Sequence, residues 1–286
     1  MLDDYLAHKA ERESRGIPPK PLNKEQVEAL TELLISPEGY DTALLVDLIK
    51  NRVPAGVDPA ARIKADFLFK IARHEIKSPL VSPRTAVFLL GTMGGGFNID
   101  PLIKLLDDAQ LTPDAARALS ETILIFDSFD KIYAKAGNNP HAKQVIDAWA
   151  NARWFTNKPE VPETLTLTVL KVDGEINTDD FSPASEAWSR PDIPLHALSM
   201  LQYRIEQPIE TIRELKQKGH PLAFVGDVVG TGSSRKSAAN SLIWHIGEDI
   251  PHVPNKRRGG VVLGGKIAPI FFNSLEDAGA IPIECD

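Results

Sequence analysis

Ser233, Ser234 and Arg235 stand in a row inside the stretch Gly226-Asp227-Val228-Val229-Gly230-Thr231-Gly232-Ser233-Ser234-Arg235-Lys236-Ser237-Ala238. Two adjacent hydroxyls and two cations share one glycine-rich backbone. The apolar run Leu222–Val225 comes first, and the residue spacing after the turn predicts a helix over 233–246. A turn at a helix start exposes backbone N–H groups at the positive end of the helix dipole, which suits an anion. The hydroxyls add donors, and the guanidinium adds a planar fork that matches a carboxylate or phosphate. The same residues also read as an ordinary glycine turn with a serine cap, and the motif alone leaves both readings open. Familiar templates do not fit. A dinucleotide fingerprint needs glycine where Arg235 stands, and a phosphate-cradling loop needs glycine directly before Lys236. A nucleophile elbow needs glycine two places after the serine. Nucleotide binding and serine-hydrolase chemistry are therefore disfavoured.

Two further clusters invite chemistry. Asn177-Thr178-Asp179-Asp180-Phe181-Ser182-Pro183-Ala184, followed by Trp188-Ser189-Arg190-Pro191-Asp192, offers paired carboxylates and an arginine. Adjacent carboxylates usually point apart, so an Asx-type loop satisfying its own backbone is the plainer account. Thr92-Met93-Gly94-Gly95-Gly96-Phe97-Asn98-Ile99-Asp100 resembles a phosphate loop in glycine content, but it follows a helical stretch, so a flexible interhelical turn is expected. The seven histidines are scattered, and no pair has the helical spacing of a metal site.

Two kinds of segment must position these residues. Residues 1 to about 155 carry helical spacing, as in Val27, Leu30, Leu33 and Leu34, then Leu44, Leu45, Leu48 and Ile49. The pattern continues over 60–71, 101–106, 115–126 and 141–154. Ser82-Pro83 and Thr112-Pro113 read as N-caps followed by proline at the first helical position. Successive short helices with short loops predict an α-solenoid of paired helices. Thr156–Glu163 is a polar linker with two prolines. Beyond it, Thr164–Val172 alternates threonine with aliphatics, as a strand does. Helices are expected over 209–218 and 233–246, and strands over 221–225, 260–263 and 280–284, with 268–278 mixed or helical. This alternation defines an α/β domain. The expected division is a helical domain over 1–158 and an α/β domain over 164–286.

Composition narrows the function. A hydrophobic content of 43% and a charged content of 25% are ordinary for a soluble globular protein. The net charge of −7 argues against broad binding to nucleic acid or anionic membranes. No run approaches the roughly 18 apolar residues of a membrane span, and the amino terminus has no signal-peptide character. The single cysteine, Cys285, excludes a disulfide framework and suits a reducing cytoplasm.

The combination of Asn177–Ala184, Gly226–Ser237 and Gly264-Gly265-Lys266-Ile267-Ala268-Pro269-Ile270-Phe271-Phe272-Asn273 resembles aconitases. More narrowly, it is similar to the bacterial aconitase B type, which acts as aconitate hydratase and 2-methylisocitrate dehydratase. The likeness covers essentially the whole chain, including the Met1-Leu2-Asp3-Asp4-Tyr5 start and the Gly91–Ile99 turn. It implies an all-α HEAT-like solenoid followed by an α/β swivel domain. It also implies tricarboxylate substrates: citrate, isocitrate, cis-aconitate and 2-methylisocitrate. Carried over by motif, Ser233 becomes the catalytic base, with Ser234 and Arg235 binding substrate carboxylates. Arg190 becomes a further substrate-binding arginine, at a spacing slightly unlike that of other aconitases. The family holds a 4Fe-4S iron–sulfur cluster on three cysteines. One cysteine cannot do this, so no metal ligand is assigned here. The expectation is an amino-terminal fragment, truncated within the swivel domain and inactive alone. The resemblance also leaves room for a dimerisation or regulatory module: a homodimer through the helical domain, and messenger RNA bound by the cluster-free full-length form, which the acidic balance supports little.

Overall fold

The computed structural model describes residues 1–122, 125–157, 160 and 162–285. Lys158, Pro159 and Val161 of the expected linker lie outside the described residues, as do Ile123 and Leu124 of the helical stretch expected over 115–126. The chain forms two compact units. One comprises residues 1–7, 20–161 and 251–254, and the other residues 8–19, 162–250 and 255–286.

The first unit is helical, and of the first helix it holds only the residues up to Ala7. The chain runs through α1 (Leu2–Ser14), α2 (Lys24–Ile35), α3 (Thr42–Asn51), α4 (Pro59–Ala72), α5 (Pro83–Gly91), α6 (Ile99–Leu105), α7 (Thr112–Ser120), α8 (Phe129–Ala136), α9 (Pro140–Ala150) and α10 (Arg153–Thr156). No strand occurs among the described residues before Thr168. Side-chain caps start these helices: Asn23 with Gln26 in a capping box, then Asp41, Asp58, Ser82 and Asn139. The expected Ser82 cap forms, its Oγ accepting from the Thr85 N–H at 3.1 Å. The Thr112 cap does not. Helix α7 begins at Thr112 itself, whose hydroxyl donates instead to the Leu106 carbonyl. Packing runs α2 to α4, α4 to α5, α5 to α7 and α7 to α9. It buries Leu30, Leu48, Leu68, Leu90, Leu102 and Val145 completely. The Gly94-Gly95-Gly96 segment is the interhelical turn expected: all three glycines have positive φ, and a Cβ on Gly96 would meet the Gly56 carbonyl oxygen at 2.8 Å.

The second unit is built on a parallel sheet. Its strands are β1 (Thr168–Asn177), β2 (Leu222–Thr231), β5 (Val261–Ile267) and β6 (Ile281–Glu284), in the order β1-β2-β5-β6, every pair parallel. A small antiparallel pair, β3 (Glu248–Asp249) and β4 (Arg257–Arg258), stands apart from it. The helices between are α11 (Thr178–Phe181), α12 (Ile193–Ala197), α13 (Pro208–Lys216), α14 (Arg235–Ile246) and α15 (Pro269–Asp277). Strand β2 outlasts the expectation. It continues from Leu222 through Val228, Val229 and Gly230 to Thr231, so the turn is only Gly232-Ser233-Ser234. Strand β1 is shifted from the expected 164–172: it begins only at Thr168 and runs on to Asn177, passing Gly174 in a bulge (φ +82°) whose N–H donates to the Asp227 carboxylate at 2.6 Å.

Helix α14 packs against α11, α12 and α15. Residues Ala238, Ala239 and Ser241 to Ile246 are buried. His245 is buried with them, its Nε2 2.8 Å from the Ala197 carbonyl oxygen. A carbonyl can only accept, so Nε2 carries the proton. Burial lowers the His245 pKa to about 4, with Lys216, Arg257 and Arg213 adding to the effect and the Ala197 bond opposing it. The unfolded chain therefore binds a proton that the folded chain refuses between about pH 6.5 and 4. Stability from this group is complete above about pH 6.5 and is lost as pH falls toward about 4, by about 3 kcal/mol. Urea unfolding at pH 7 and pH 4.5 should show this loss, and His245→Gln should shrink the difference.

Candidate active site

Three stretches converge at the carboxyl ends of the parallel strands, where open α/β sheets hold their ligands. Strand β1 ends at Asn177, paired in register with Thr231 at the end of β2. Gly232 then passes against the first stretch so closely that a Cβ on it would lie 2.6 Å from Asn177 Oδ1. Its φ of +111° also demands glycine. Thr231 donates to the Glu175 carboxylate at 2.7 Å, tying β2 to β1 just before the serines.

The serine turn opens directly into α14. Ser234 is the N-cap residue, but its side chain makes no capping bond. The serine-capped alternative is therefore not the one that forms. Among the described residues, no side-chain oxygen takes the N–H groups of Arg235, Lys236 or Ser237, and neither Arg235 nor Lys236 has an ion pair. The Ser237 hydroxyl donates back to the Ser234 carbonyl at 3.0 Å. An open hollow of about 400 Å³ lies here, lined by residues 233–237 and, from α15, by Ile270 and Ser274. Free N–H groups, the hydroxyls of Ser233, Ser234 and Ser237, and two cations without ion pairs among the described residues suit a polyanion. The serine motif by itself gives no hint of Ile270 and Ser274. Their signal lies in the Gly264–Asn273 stretch, whose helix carries both.

Phenylalanines hold the three stretches in place. Phe181 of α11 stacks on Phe271 of α15 with ring centres 5.5 Å apart, and meets Phe224 of β2 edge-on at 5.0 Å. Gly230, at φ +81°, crosses Phe271 with no room for a side chain: a Cβ there would lie 2.6 Å from Phe271 Cβ.

The acidic stretch is used structurally. Asn177 and Asp180 form a capping box on α11: the Asn177 side chain accepts from the Asp179 N–H at 3.0 Å, and the Asp180 carboxylate from the Asn177 N–H at 2.7 Å. Arg190 is not among the residues lining the hollow. Its Nε donates to Glu186 at 2.9 Å, four residues earlier. The Ser189 hydroxyl, then Arg190 and Gln202, hold the Glu186 carboxyl below the usual carboxylate range. Nearby, Arg12 makes a bidentate pair with Asp192 at 2.8 and 2.9 Å, and Asp192 also caps α12 through the Leu195 N–H.

The fold defines an α/β unit with an open hollow lined by serines and cations, joined in sequence to a helical unit, and comparison with known proteins gives the family. Residues 4–155 match the family described as Aconitate B N-terminal domain, and residues 167–286 match Aconitate hydratase 2 N-terminus. The chain belongs to the aconitase B family. It is 60% identical over 297 residues to Aconitate hydratase B of Escherichia coli strain K12, with all of this chain and 34% of that protein covered. It is 59% identical to Aconitate hydratase B of Synechocystis sp. over 288 residues, covering 33% of it, and 52% identical to that of Helicobacter pylori, covering 34%; all of this chain is aligned in both. The chain thus spans about a third of the length of these curated relatives.

The family's iron–sulfur cluster does not fit the donors of this chain. Cluster ligation needs several thiolates, and Cys285 is the sole cysteine. Among the described residues, no three His, Cys, Asp or Glu side chains form a group able to hold a metal ion.

Gly230→Ala would force a left-handed backbone on alanine and drive its methyl into Phe271. It should destabilise the sheet unit by about 2–4 kcal/mol, read as a lower urea midpoint with an unchanged slope.

Proposed function

We propose that the chain forms the amino-terminal part of an aconitate hydratase, a hydro-lyase that interconverts citrate and isocitrate through cis-aconitate and also dehydrates 2-methylisocitrate. The proposal takes residues 1–158 as a HEAT-like solenoid and residues 164–286 as the swivel domain, in a cytoplasmic protein. The observation that carries it is the hollow at Ser233–Ser237, whose N–H groups and cations have no counter-charge among the described residues. It stands on a chain whose relatives bear the name aconitate hydratase.

In this reading Ser233 is the base. Its alkoxide takes the proton from the substrate carbon and becomes the hydroxyl; in the reverse direction the hydroxyl returns it. Serine is a weak base unless its charged form is favoured, and the helix N–H groups with Arg235 and Lys236 provide that. Ser234 and Arg235 hold substrate carboxylates. Arg190 serves as a further carboxylate ligand, for which it must exchange Glu186 for substrate. Departure of the substrate hydroxyl is assigned to no residue of this chain.

In the complete enzyme, Ser233→Ala should lower turnover by roughly 10²–10⁴-fold, with a smaller effect on substrate binding. Arg235→Lys keeps the charge but loses the fork, so it should mainly raise KM. Turnover of Ser233→Ala within about twofold of the parent, at matched cluster content, would refute the assignment.

Homodimerisation through the helical unit belongs to the same proposal. It is favoured by Phe129 and Tyr133, stacked 5.9 Å apart and both exposed. The chain should sediment as a dimer, and Tyr133→Glu should shift it toward monomer.

A further inference from the structure

The sheet unit has a larger cavity at the opposite ends of its strands. It encloses about 520 Å³ where Leu222, Val261 and Ile281 begin β2, β5 and β6. Leu165 and Leu167, just before β1, extend an apolar wall that Ile246 continues from the end of α14. Its charged groups are two cations, Lys216 and Arg258, and one carboxylate, Glu248. Lys216 closes α13, and His220 and Arg258 also line the space.

The charges here are not balanced from within. Arg257, just behind the cavity, is paired with Asp249 at 2.8 Å, and Arg213 with Glu210 at 3.5 Å. Among the described residues, no carboxylate oxygen lies within 4 Å of Lys216 or Arg258. Glu248 stands opposite Arg258 in the β3–β4 register without reaching it. Lys216 and Arg258 against Glu248 therefore leave one positive charge uncompensated. Desolvation, then Arg257, pulls the Lys216 pKa down, and Asp249, beyond ion-pair distance, offsets this only in part. The Gly260 N–H, on a backbone at φ +98°, has no acceptor among the described residues. His245 also lines the space, with Nε2 committed to Ala197.

One uncompensated charge fits a monoanion better than a phosphate dianion. The leucine and isoleucine wall fits an aliphatic chain, and the volume is within the range of small-molecule sites. We propose that this cavity binds a small aliphatic monocarboxylate, its carboxylate held among Lys216, Arg258 and the Gly260 N–H and its chain along Leu165, Leu167 and Ile246. This goes beyond the proposed reaction and does not depend on it.

The test is a calorimetric titration of the 286-residue chain with acetate, butyrate, hexanoate and inorganic phosphate. Each added methylene that reaches the wall is worth up to roughly fourfold in affinity, so hexanoate should bind at least tenfold more tightly than acetate, and more tightly than phosphate. Lys216→Met should weaken hexanoate binding by tenfold or more, and Lys216→Arg should retain most of it. Ser233→Ala should leave it unchanged, which separates this site from the turn at the other end of the strands. If Lys216→Met fails to fold, Arg258→Met carries the same expectation. Equal affinity for acetate and hexanoate, tighter binding of phosphate, no binding at all, or hexanoate affinity unchanged in the folded variants would each overturn the proposal.

Discussion

The stack of Phe181 on Phe271 is the contact on which the candidate active site depends. The rings lie nearly parallel, 7° apart, and Phe224 closes on them edge-on. All three side chains have no exposed surface. Each belongs to a different element: a short helix after β1, the beginning of β2, and the helix after β5. Aromatic pairs add about 0.5–1.5 kcal/mol beyond the area they bury. Here they also set geometry, because Gly230 must slide across Phe271 for β2 to reach the serine turn. The same contact brings the first turn of α15 opposite the first turn of α14. Ile270 and Ser274 face Ser233–Ser237 for that reason, not through any bond of their own.

That dependence explains what could be read from the residues and what could not. The change from helical spacing to strands alternating with helices was plain, because it rests on local periodicity. Of the two caps read from the residues, Ser82 formed and Thr112 did not, and the caps at Asn23, Asp41, Asp58 and Asn139 were not read. The extent of β2 was not. Gly226 and Gly230 suggest a turn when read locally, yet both lie in the strand. A Cβ on Gly226 would meet Val229 at 2.9 Å and Ile176 at 3.4 Å, so the glycine records close approach inside a sheet, not a bend. Only the neighbouring strand reveals this, and its register is a long-range property.

Arg190 teaches the converse. Motif resemblance offered it as a carboxylate ligand, and it does hold a carboxylate, that of Glu186. The pair closes across a turn, with the Arg190 N–H also donating to the Glu186 carbonyl at 2.9 Å, and it was not read from the residues. Ser189 and Gln202 reinforce it from the same side. A substrate carboxylate arriving at Arg190 would meet an arginine already occupied, whereas one arriving at Arg235 would not.

The Arg12–Asp192 pair has a consequence for how the chain is made. Arg12 is 3% exposed and its guanidinium is fully engaged, Nε on the Pro18 carbonyl and the fork on Asp192. Its partner comes 180 residues later. At synthesis rates of about 5–20 residues per second, Arg12 leaves the ribosome roughly ten to forty seconds before Asp192 exists. Arg12 cannot make this pair through that interval, while the helices encoded between the two residues have time to fold. The sheet unit closes on a segment 180 residues earlier in the chain, so its assembly cannot follow the order of translation.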